Sequence, residues 1–169
     1  MKTDNMEPDS LPRETLVELA KMFFRNSRIV DGLWFQKVED EFGLDAAVKL
    51  DQQVWEIHAQ GEAKRIKDTL DLKEEGPEAV LKALKYTLSM DTPEIEESGP
   101  DRIVIRINNC PVHEARARKG RPQFPCKEQG LTIYPAVAKE IDPRVKVRCL
   151  MCPPDPHPED VWCRWEFTI

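Results

Sequence analysis

The sequence predicts an α+β fold in which an N-terminal helical layer packs on a small antiparallel sheet that ends in a C-terminal hairpin. Apolar residues in the first part of the chain repeat at spacings of three and four, which is typical of amphipathic helices. After residue 100, three short segments alternate apolar and polar residues, which is typical of half-buried strands. Composition changes at the same place: residues 101–169 carry all five cysteines of the chain and nine of its 14 prolines.

The helical part contains four periodic segments. Residues 16–24 and 30–42 form the first two, and the sequence leaves open whether these are one bent helix. Gly43 is expected to end the second segment in a left-handed conformation. A long helix over 45–70 is expected next, with Asp45 as its cap, and Gly-Pro introduces another over about 76–88.

Strands are predicted over 102–107, 144–149 and 161–167, where apolar residues occupy every second position. A turn at 98–101 places an earlier strand, over about 90–97, beside the first of these. A helix over about 131–141 connects the middle segments. Each half of the chain is too small for an ample core of its own, so residues 1–169 are expected to form a single domain with 1–89 mostly helical and 90–169 mostly sheet.

Composition excludes several classes of protein. The formal net charge of −6 argues against nucleic-acid binding, because phosphate contacts need a concentrated basic face. No apolar run approaches the length of a membrane span, and residues 1–7 are too polar for a signal peptide. We therefore expect a soluble cytoplasmic protein that binds a small molecule, and the sequence leaves open whether it forms a homodimer.

Cysteine content is the most informative feature of the chain. A cytoplasmic protein keeps its thiols reduced, so five clustered cysteines indicate metal ligands or catalytic groups more than a disulfide framework. The alternative is that they fill the core as small apolar side chains. Zinc suits a tetrahedral thiolate site, and an iron–sulfur cluster is the second choice. The candidate metal ligands are Cys110, Cys126, Cys149, Cys152 and Cys163.

The last two strands are expected to form a hairpin around the proline-rich segment 153–158. If Cys149 lies opposite Cys163, then Val147 faces Trp165, and all apolar side chains share one face. This register predicts two thiols side by side, close enough to share a metal ion.

One stripe on the long helix is polar. Asp51, Trp55, His58 and Glu62 are spaced by four, three and four residues, so they share a helical face. Apolar residues flank this face on both sides, which is unusual for an exposed surface. The stripe is a candidate for lining a ligand pocket or for an oxygen–nitrogen metal site, and the alternative is a half-exposed face beside another helix.

A second candidate group follows the strand at 102–107. His113 and Glu114 lie just after Cys110, and His113 is a candidate metal ligand, base or ligand-binding residue, although a surface histidine after a strand is the commoner case. Basic residues follow at Arg116, Arg118, Lys119 and Arg121. They are either a solvated charge run, the commoner case, or a site for a carboxylate or phosphate.

Several stretches of the chain resemble known proteins. Residues 31–35, 110–127, 141–144 and 149–167 resemble an uncharacterised family of prokaryotic cytosolic proteins, and that family is distantly similar to the L-2-amino-thiazoline-4-carboxylic acid hydrolase-like proteins. The C-terminal part also resembles 4-vinyl-reductase-type ligand-binding domains, which end in a cysteine-bearing hairpin.

The resemblance to the 4-vinyl-reductase-type domains implies a ligand set. In some of those domains three cysteines and one glutamate hold zinc, and by position the cysteines would be Cys126, Cys149 and Cys163. The glutamate position holds Lys146 in this chain. Cys152 or Cys110 would therefore have to take its place.

Two functions remain open at this point. The first is a cytosolic small-molecule-binding protein with a cysteine-thiolate metal site, with zinc favoured. The second is a cysteine-dependent hydrolase of a small C–N or C–S bonded substrate. In that enzyme the nucleophile would be Cys110 or Cys126, the base His113 or His58, and the group that orients the base Glu62 or Glu114.

Overall fold

The computed structural model describes residues 10–89 and 93–169, which form five helices and one four-stranded sheet. The elements are α1 (Arg13–Phe42), α2 (Leu44–Leu70), α3 (Gly76–Leu84), β1 (Glu94–Gly99), β2 (Arg102–Ile107), α4 (Pro111–Arg118), α5 (Cys126–Ile141), β3 (Lys146–Met151) and β4 (Cys163–Thr168). All strand pairs are antiparallel, in the order β1-β2-β4-β3. The predicted α+β fold with a C-terminal hairpin is confirmed. No helix within the described ranges has the length and apolarity needed to cross a bilayer.

The two apolar segments before Gly43 form one helix, α1. Gly43 has a positive φ of 84°, which glycine adopts readily, but its ψ of 165° lies outside the predicted left-handed helical conformation and turns the chain directly into α2. It is therefore Gly43 that precedes α2, while Asp45 lies in the first turn, so the prediction of an Asp45 cap was wrong. Helix α3 stops four residues short of the predicted end, where the buried Thr87 hydroxyl donates a 2.7 Å hydrogen bond to the Leu84 carbonyl.

Helix α5 begins at Cys126, five residues before the predicted start. Glycine at position 130 weakens a helix in isolation, and for that reason the sequence indicated a later start. In the structure this glycine is buried, and a Cβ on it would come within 2.4 Å of the Trp165 indole. Gly130 is therefore a packing residue that lets the Trp165 ring lie directly against the backbone of α5.

The core lies between the inner face of the sheet and helices α2, α3 and α5. Its largest fully buried apolar side chains are Trp165, Phe167, Leu84, Ile105, Ile133, Val80 and Val137. The outer face of the sheet is instead ionic: Glu166 accepts hydrogen bonds from Arg102 and Arg148, both at 2.8 Å. These strands thus separate an apolar inner surface from a charged outer one.

The register of the terminal hairpin differs from the prediction by two residues. Cys149 lies opposite Trp165 and Val147 opposite Phe167, whereas Cys163 pairs with Ile107 on β2. A two-residue shift keeps the same side chains on the inner face, so the apolar pattern fits both registers equally well. A bulge between Cys149 and Met151 accompanies the observed register.

Strand β1 pairs with β2 as predicted, and the first residues of the predicted strand over 90–97 lie outside the described residues. At the other side of the core, the Asp142 carboxylate accepts a 2.7 Å hydrogen bond from the backbone N–H of Gly76. Asp142 follows α5 and Gly76 begins α3, so this contact joins two helices. Hydrogen bonds from Arg144 to the same carboxylate hold the pKa of Asp142 well below its usual range.

Candidate functional site

Four of the five cysteines line one cavity of about 100 Å³. Cys110 lies just after β2, Cys126 begins α5, Cys152 follows β3 and Cys163 begins β4, so the fold gathers them from four places in the chain. Other residues that line this cavity, which we name the cysteine cavity, are Ser89, Ile107, Val112, His113, Phe124, Gln129, Gly130, Ile133, Tyr134 and Trp165.

His113 and Cys126 are in direct contact inside the cysteine cavity. The His113 Nε2 atom lies 3.2 Å from the Cys126 Sγ atom. Helix α4, which the sequence did not predict, carries His113 in its first turns, and Pro111 begins this helix as prolines often do. His113 is only 2% exposed, so the expectation of a surface histidine was wrong. A histidine within hydrogen-bond reach of a thiol is the geometry that nucleophilic catalysis by cysteine requires.

The indole of Trp162 covers one face of the His113 imidazole. The two rings are stacked, with centroids 4.3 Å apart and planes within 6° of parallel. The backbone N–H of Trp162 donates to the Ile107 carbonyl at 2.8 Å, which fixes the chain just before β4. His113 Nδ1 is buried and has no hydrogen-bond partner among the described residues. The ring is therefore held by stacking, and no carboxylate orients it through Nδ1.

Cys152 is the second neighbour of the Cys126 thiol, with 3.7 Å between the two sulfur atoms. The hydrogen bond from Cys152, and then the hydrogen bond and charge of His113, lower the pKa of Cys126 to about 5. The first position of a helix also favours a negative charge. Hydrogen bonds to Cys126 and Cys163, together with burial, raise the pKa of Cys152. Cys126 is thus the thiolate of the pair, and Cys152 is the thiol that donates to it.

Cys149 lies apart from this group. It is half-buried on β3 opposite Trp165, and it is not among the residues that line the cysteine cavity. Burial raises the pKa of its thiol. The structure therefore distinguishes Cys149 from the other four cysteines by its position.

The polar stripe on α2 does not line one pocket. Trp55 is buried in the core, and His58 Nε2 lies 3.6 Å from Glu62 Oε1, which also accepts the backbone N–H of Leu88 at 2.9 Å. Asp51 accepts a 2.5 Å hydrogen bond from the Gln129 side chain. Burial, and then the charge of Asp31, raise the pKa of Asp51 to about 7.

Within residues 10–89 and 93–169, no three His, Cys, Asp or Glu side chains are arranged so that they could together hold a metal ion. The sulfur atoms of Cys126 and Cys152 are 3.7 Å apart.

Sequence reasoning missed Trp162, Phe124 and Gln129 as site residues. Trp162 stood opposite the apolar face in the predicted strand over 161–167, which indicated an outward side chain. Because β4 begins only at Cys163, the alternation does not extend to Trp162. For Phe124 and Gln129 the signal was the Phe-Pro-Cys stretch at 124–126, because a proline just before Cys126 is compatible with a helix that begins there. Such a helix has Phe124 just before it and Gln129 in its first turn.

Comparison with known proteins gives one result. A model of a family of unknown function, DUF6125, matches residues 9–169. No curated protein and no solved structure matches the chain, so the resemblances to thiazoline-carboxylic acid hydrolases and to 4-vinyl-reductase-type domains find no support. Because the match covers nearly the whole sequence, the chain belongs to the DUF6125 family.

Proposed function

We propose that this protein is a cysteine-dependent hydrolase of a small C–N or C–S bonded substrate, with Cys126 as nucleophile and His113 as its acid and base. The observation that carries the proposal is the 3.2 Å distance between His113 Nε2 and Cys126 Sγ. The lowered pKa of Cys126 supports it, because the thiolate is the reactive form of cysteine.

The reaction proceeds in two stages. The Cys126 sulfur attacks the electrophilic carbon, and the tetrahedral adduct collapses as the C–N or C–S bond breaks. Protonated His113 gives its Nε2 proton to the departing nitrogen or sulfur. Neutral His113 then takes a proton from a water molecule, whose oxygen attacks the thioester carbon. The adduct releases the carboxylic acid and the Cys126 thiolate, which leaves His113 protonated as at the start.

A small thioester tests this scheme directly. With S-phenyl thioacetate we expect a rapid release of one equivalent of thiophenol per chain, followed by slower turnover, because the acetyl group remains on Cys126 until water removes it. Cys126→Ser should abolish the rapid phase. His113→Gln should keep one equivalent but lower the steady rate by about 100-fold, the size expected for loss of a general base.

Cys149→Ser is the matched control, since its thiol lies outside the cysteine cavity. It should retain both the rapid phase and the steady rate. The proposal is wrong if mass spectrometry finds the acetyl group on a residue other than Cys126, or if the rapid phase survives in Cys126→Ser.

A cysteine-thiolate zinc site is the second candidate, and the sulfur-to-sulfur distance favours it. Two thiolates on one tetrahedral zinc ion lie about 3.8 Å apart, close to the 3.7 Å between Cys126 and Cys152. Cys110 and Cys163 line the same cavity, and one of them would have to move onto the ion with His113. Elemental analysis of the purified chain separates the candidates. One zinc per chain, lost in both Cys126→Ser and Cys152→Ser, would support the metal site and contradict the hydrolase proposal. A metal-free protein that shows the rapid release of thiophenol would exclude the metal site.

A further inference from the structure

Cys126 and Cys152 belong to two segments that are distant in sequence and attached to each other through the backbone. The N–H of Lys127 donates to the Pro153 carbonyl at 3.0 Å. Each of these two residues directly follows one of the cysteines. This hydrogen bond therefore holds the start of α5 against the chain just after β3, and it keeps the two cysteines side by side.

Two further contacts strengthen this attachment. The Lys127 ammonium group lies 2.8 Å from the Asp155 carboxylate. The N–H of Asp155 donates to the Cys152 carbonyl at 2.9 Å. The residues after Cys152 are thereby tied both to Cys152 itself and to the first turn of α5, so the 3.7 Å between the two sulfur atoms is supported by the backbone around them.

A disulfide between Cys126 and Cys152 requires only a small movement. An S–S bond is about 2 Å long, so the two sulfur atoms would have to approach each other by roughly 1.7 Å. Residues 152–162, between β3 and β4, contain neither helix nor strand. Such a loop accommodates a shift of this size more easily than a packed element does.

The sequence by itself would favour a different pair, because Cys149 and Cys152 have the CxxC spacing of many redox-active proteins. In the structure Cys149 lies on β3, outside the cysteine cavity. Cys163 is a second neighbour of Cys152, but it is held in β4, where it pairs with Ile107. The contact at 3.7 Å makes Cys126 the partner that the fold offers to Cys152.

The two thiols differ in their access to solution. Cys152 is 2% exposed, whereas Cys126 is half-buried and is the first residue of α5. A helix N-terminus stabilises a thiolate, which is the form that attacks an oxidant. The cysteine cavity of about 100 Å³ has room for hydrogen peroxide, since one water molecule takes up about 30 Å³ in the liquid. An oxidant from solution therefore meets Cys126 first.

From this arrangement we propose that Cys126 and Cys152 are a peroxide-sensitive dithiol, which hydrogen peroxide converts to a disulfide. The Cys126 thiolate attacks one peroxide oxygen, and the O–O bond breaks to give a sulfenic acid and hydroxide. This hydroxide takes the proton of Cys152. The Cys152 sulfur then attacks the Cys126 sulfur, forms the S–S bond and releases the sulfenic oxygen as hydroxide. Two sulfur atoms are thus oxidised, and the peroxide is reduced to water and hydroxide.

This inference goes beyond the proposed hydrolase, and formation of the disulfide does not depend on it. Only the consequence for activity rests on the proposed function. The disulfide occupies the Cys126 sulfur, so it would stop the hydrolase until a dithiol reduces the bond by thiol–disulfide exchange.

Peptide mapping of the wild-type chain after treatment with hydrogen peroxide tests the inference. We expect a disulfide that joins Cys126 to Cys152 and that dithiothreitol reverses. Trypsin leaves residues 149–164 on one peptide, so a second cleavage before Asp155 is needed to separate Cys152 from Cys163.

Three variants assign the roles of the thiols. Cys152→Ser should stop at the sulfenic acid of Cys126, which dimedone traps, because no thiol remains to resolve it. Cys126→Ser should slow the loss of thiols to peroxide about tenfold or more, because it removes the accessible thiolate. Cys149→Ser is the matched control, and it should form the disulfide at the wild-type rate.

Direct conversion of Cys126 to a sulfinic acid in the wild type, without a disulfide, would overturn the inference. A disulfide that joins Cys152 to Cys163 instead would also overturn it. The hydrolase is judged separately, by the rapid release of thiophenol from S-phenyl thioacetate. The reduced wild type should show this release, and the oxidised protein should show it only after dithiothreitol is added. If the disulfide forms but the reduced protein releases no thiophenol, the hydrolase proposal fails and the peroxide-sensitive dithiol stands.

Discussion

The indole of Trp162 lies flat on the imidazole of His113, with the ring planes within 6° of parallel. His113 Nδ1 makes no hydrogen bond to any described residue, so the orientation of the ring depends on the stack with Trp162 and on the contact of Nε2 with Cys126. The ring in turn places Nε2 against the Cys126 sulfur. We therefore expect Trp162 to help align the histidine with the cysteine.

Trp162→Ala should therefore raise the pKa of the Cys126 thiol without changing the side chains that line the cysteine cavity. We expect the pH midpoint of Cys126 alkylation by iodoacetamide to rise, because a freely turning imidazole stabilises the thiolate less. The release of thiophenol from S-phenyl thioacetate should slow several-fold. Trp34→Ala is the control, since Trp34 is 73% exposed on α1. An unchanged midpoint in Trp162→Ala would mean that stacking does not position His113.

Removal of the Cys152 donor should have the larger effect on ionisation. The hydrogen bond from Cys152 is the leading cause of the lowered pKa of Cys126. In the wild type we expect the alkylation rate to rise through a midpoint near pH 5. Cys152→Ala should move this midpoint towards that of an ordinary thiol, about 8.5, whereas Cys152→Ser should stay near the wild-type value because a hydroxyl still donates. Equal midpoints in the alanine and serine variants would contradict this assignment.

Gly130→Ala should destabilise the fold by about 1–3 kcal/mol, the usual cost of overpacking a core. Its Cβ would meet the Trp165 ring, which cannot move aside because it is buried. Gly32→Ala provides a matched control on α1, where an added Cβ has nothing within 4 Å. That substitution should instead stabilise the protein by roughly 0.5–1 kcal/mol, as expected for alanine in a helix. Urea denaturation of both variants measures the difference.

Asp142→Ala should lower the free energy of unfolding by about 1–3 kcal/mol, because it leaves the buried Gly76 N–H without its acceptor. The pKa of Asp142 lies below its ordinary value in the folded protein. Its stabilising effect is therefore fully present above the unfolded pKa near 4 and is lost as the pH falls from there towards the folded pKa.

Urea titrations at several pH values test both parts of this prediction. The wild type and Asp142→Ala should differ at pH 7 and converge in strong acid. Asp68→Ala, at an exposed position of α2, should match the wild type throughout. A difference between wild type and Asp142→Ala that persists unchanged into acid would assign the stabilisation to packing.

Periodicity was sufficient to predict the fold class and most elements, because helices and strands bury their apolar residues at different spacings. It could not fix the register of Cys149 against Trp165, since a shift of two residues preserves both faces. Helix α4 was not predicted, because its exposed charged residues give it no apolar stripe. Four of the five cysteines line one cavity, but Cys149 and Cys163, which the sequence placed opposite each other, are not paired on the hairpin. The identity of the histidine beside Cys126 depends on tertiary contacts.

The close crossing of α5 over Trp165 at Gly130 has a further consequence. The same helix begins with Cys126, only four residues away. A substitution deep in the protein that tilts α5 must then displace the sulfur as well, so damage to the interior would be detectable as altered reactivity of the half-buried Cys126 thiol. The labelling rate of the Cys126 sulfur would therefore report on the packing of α5 against Trp165.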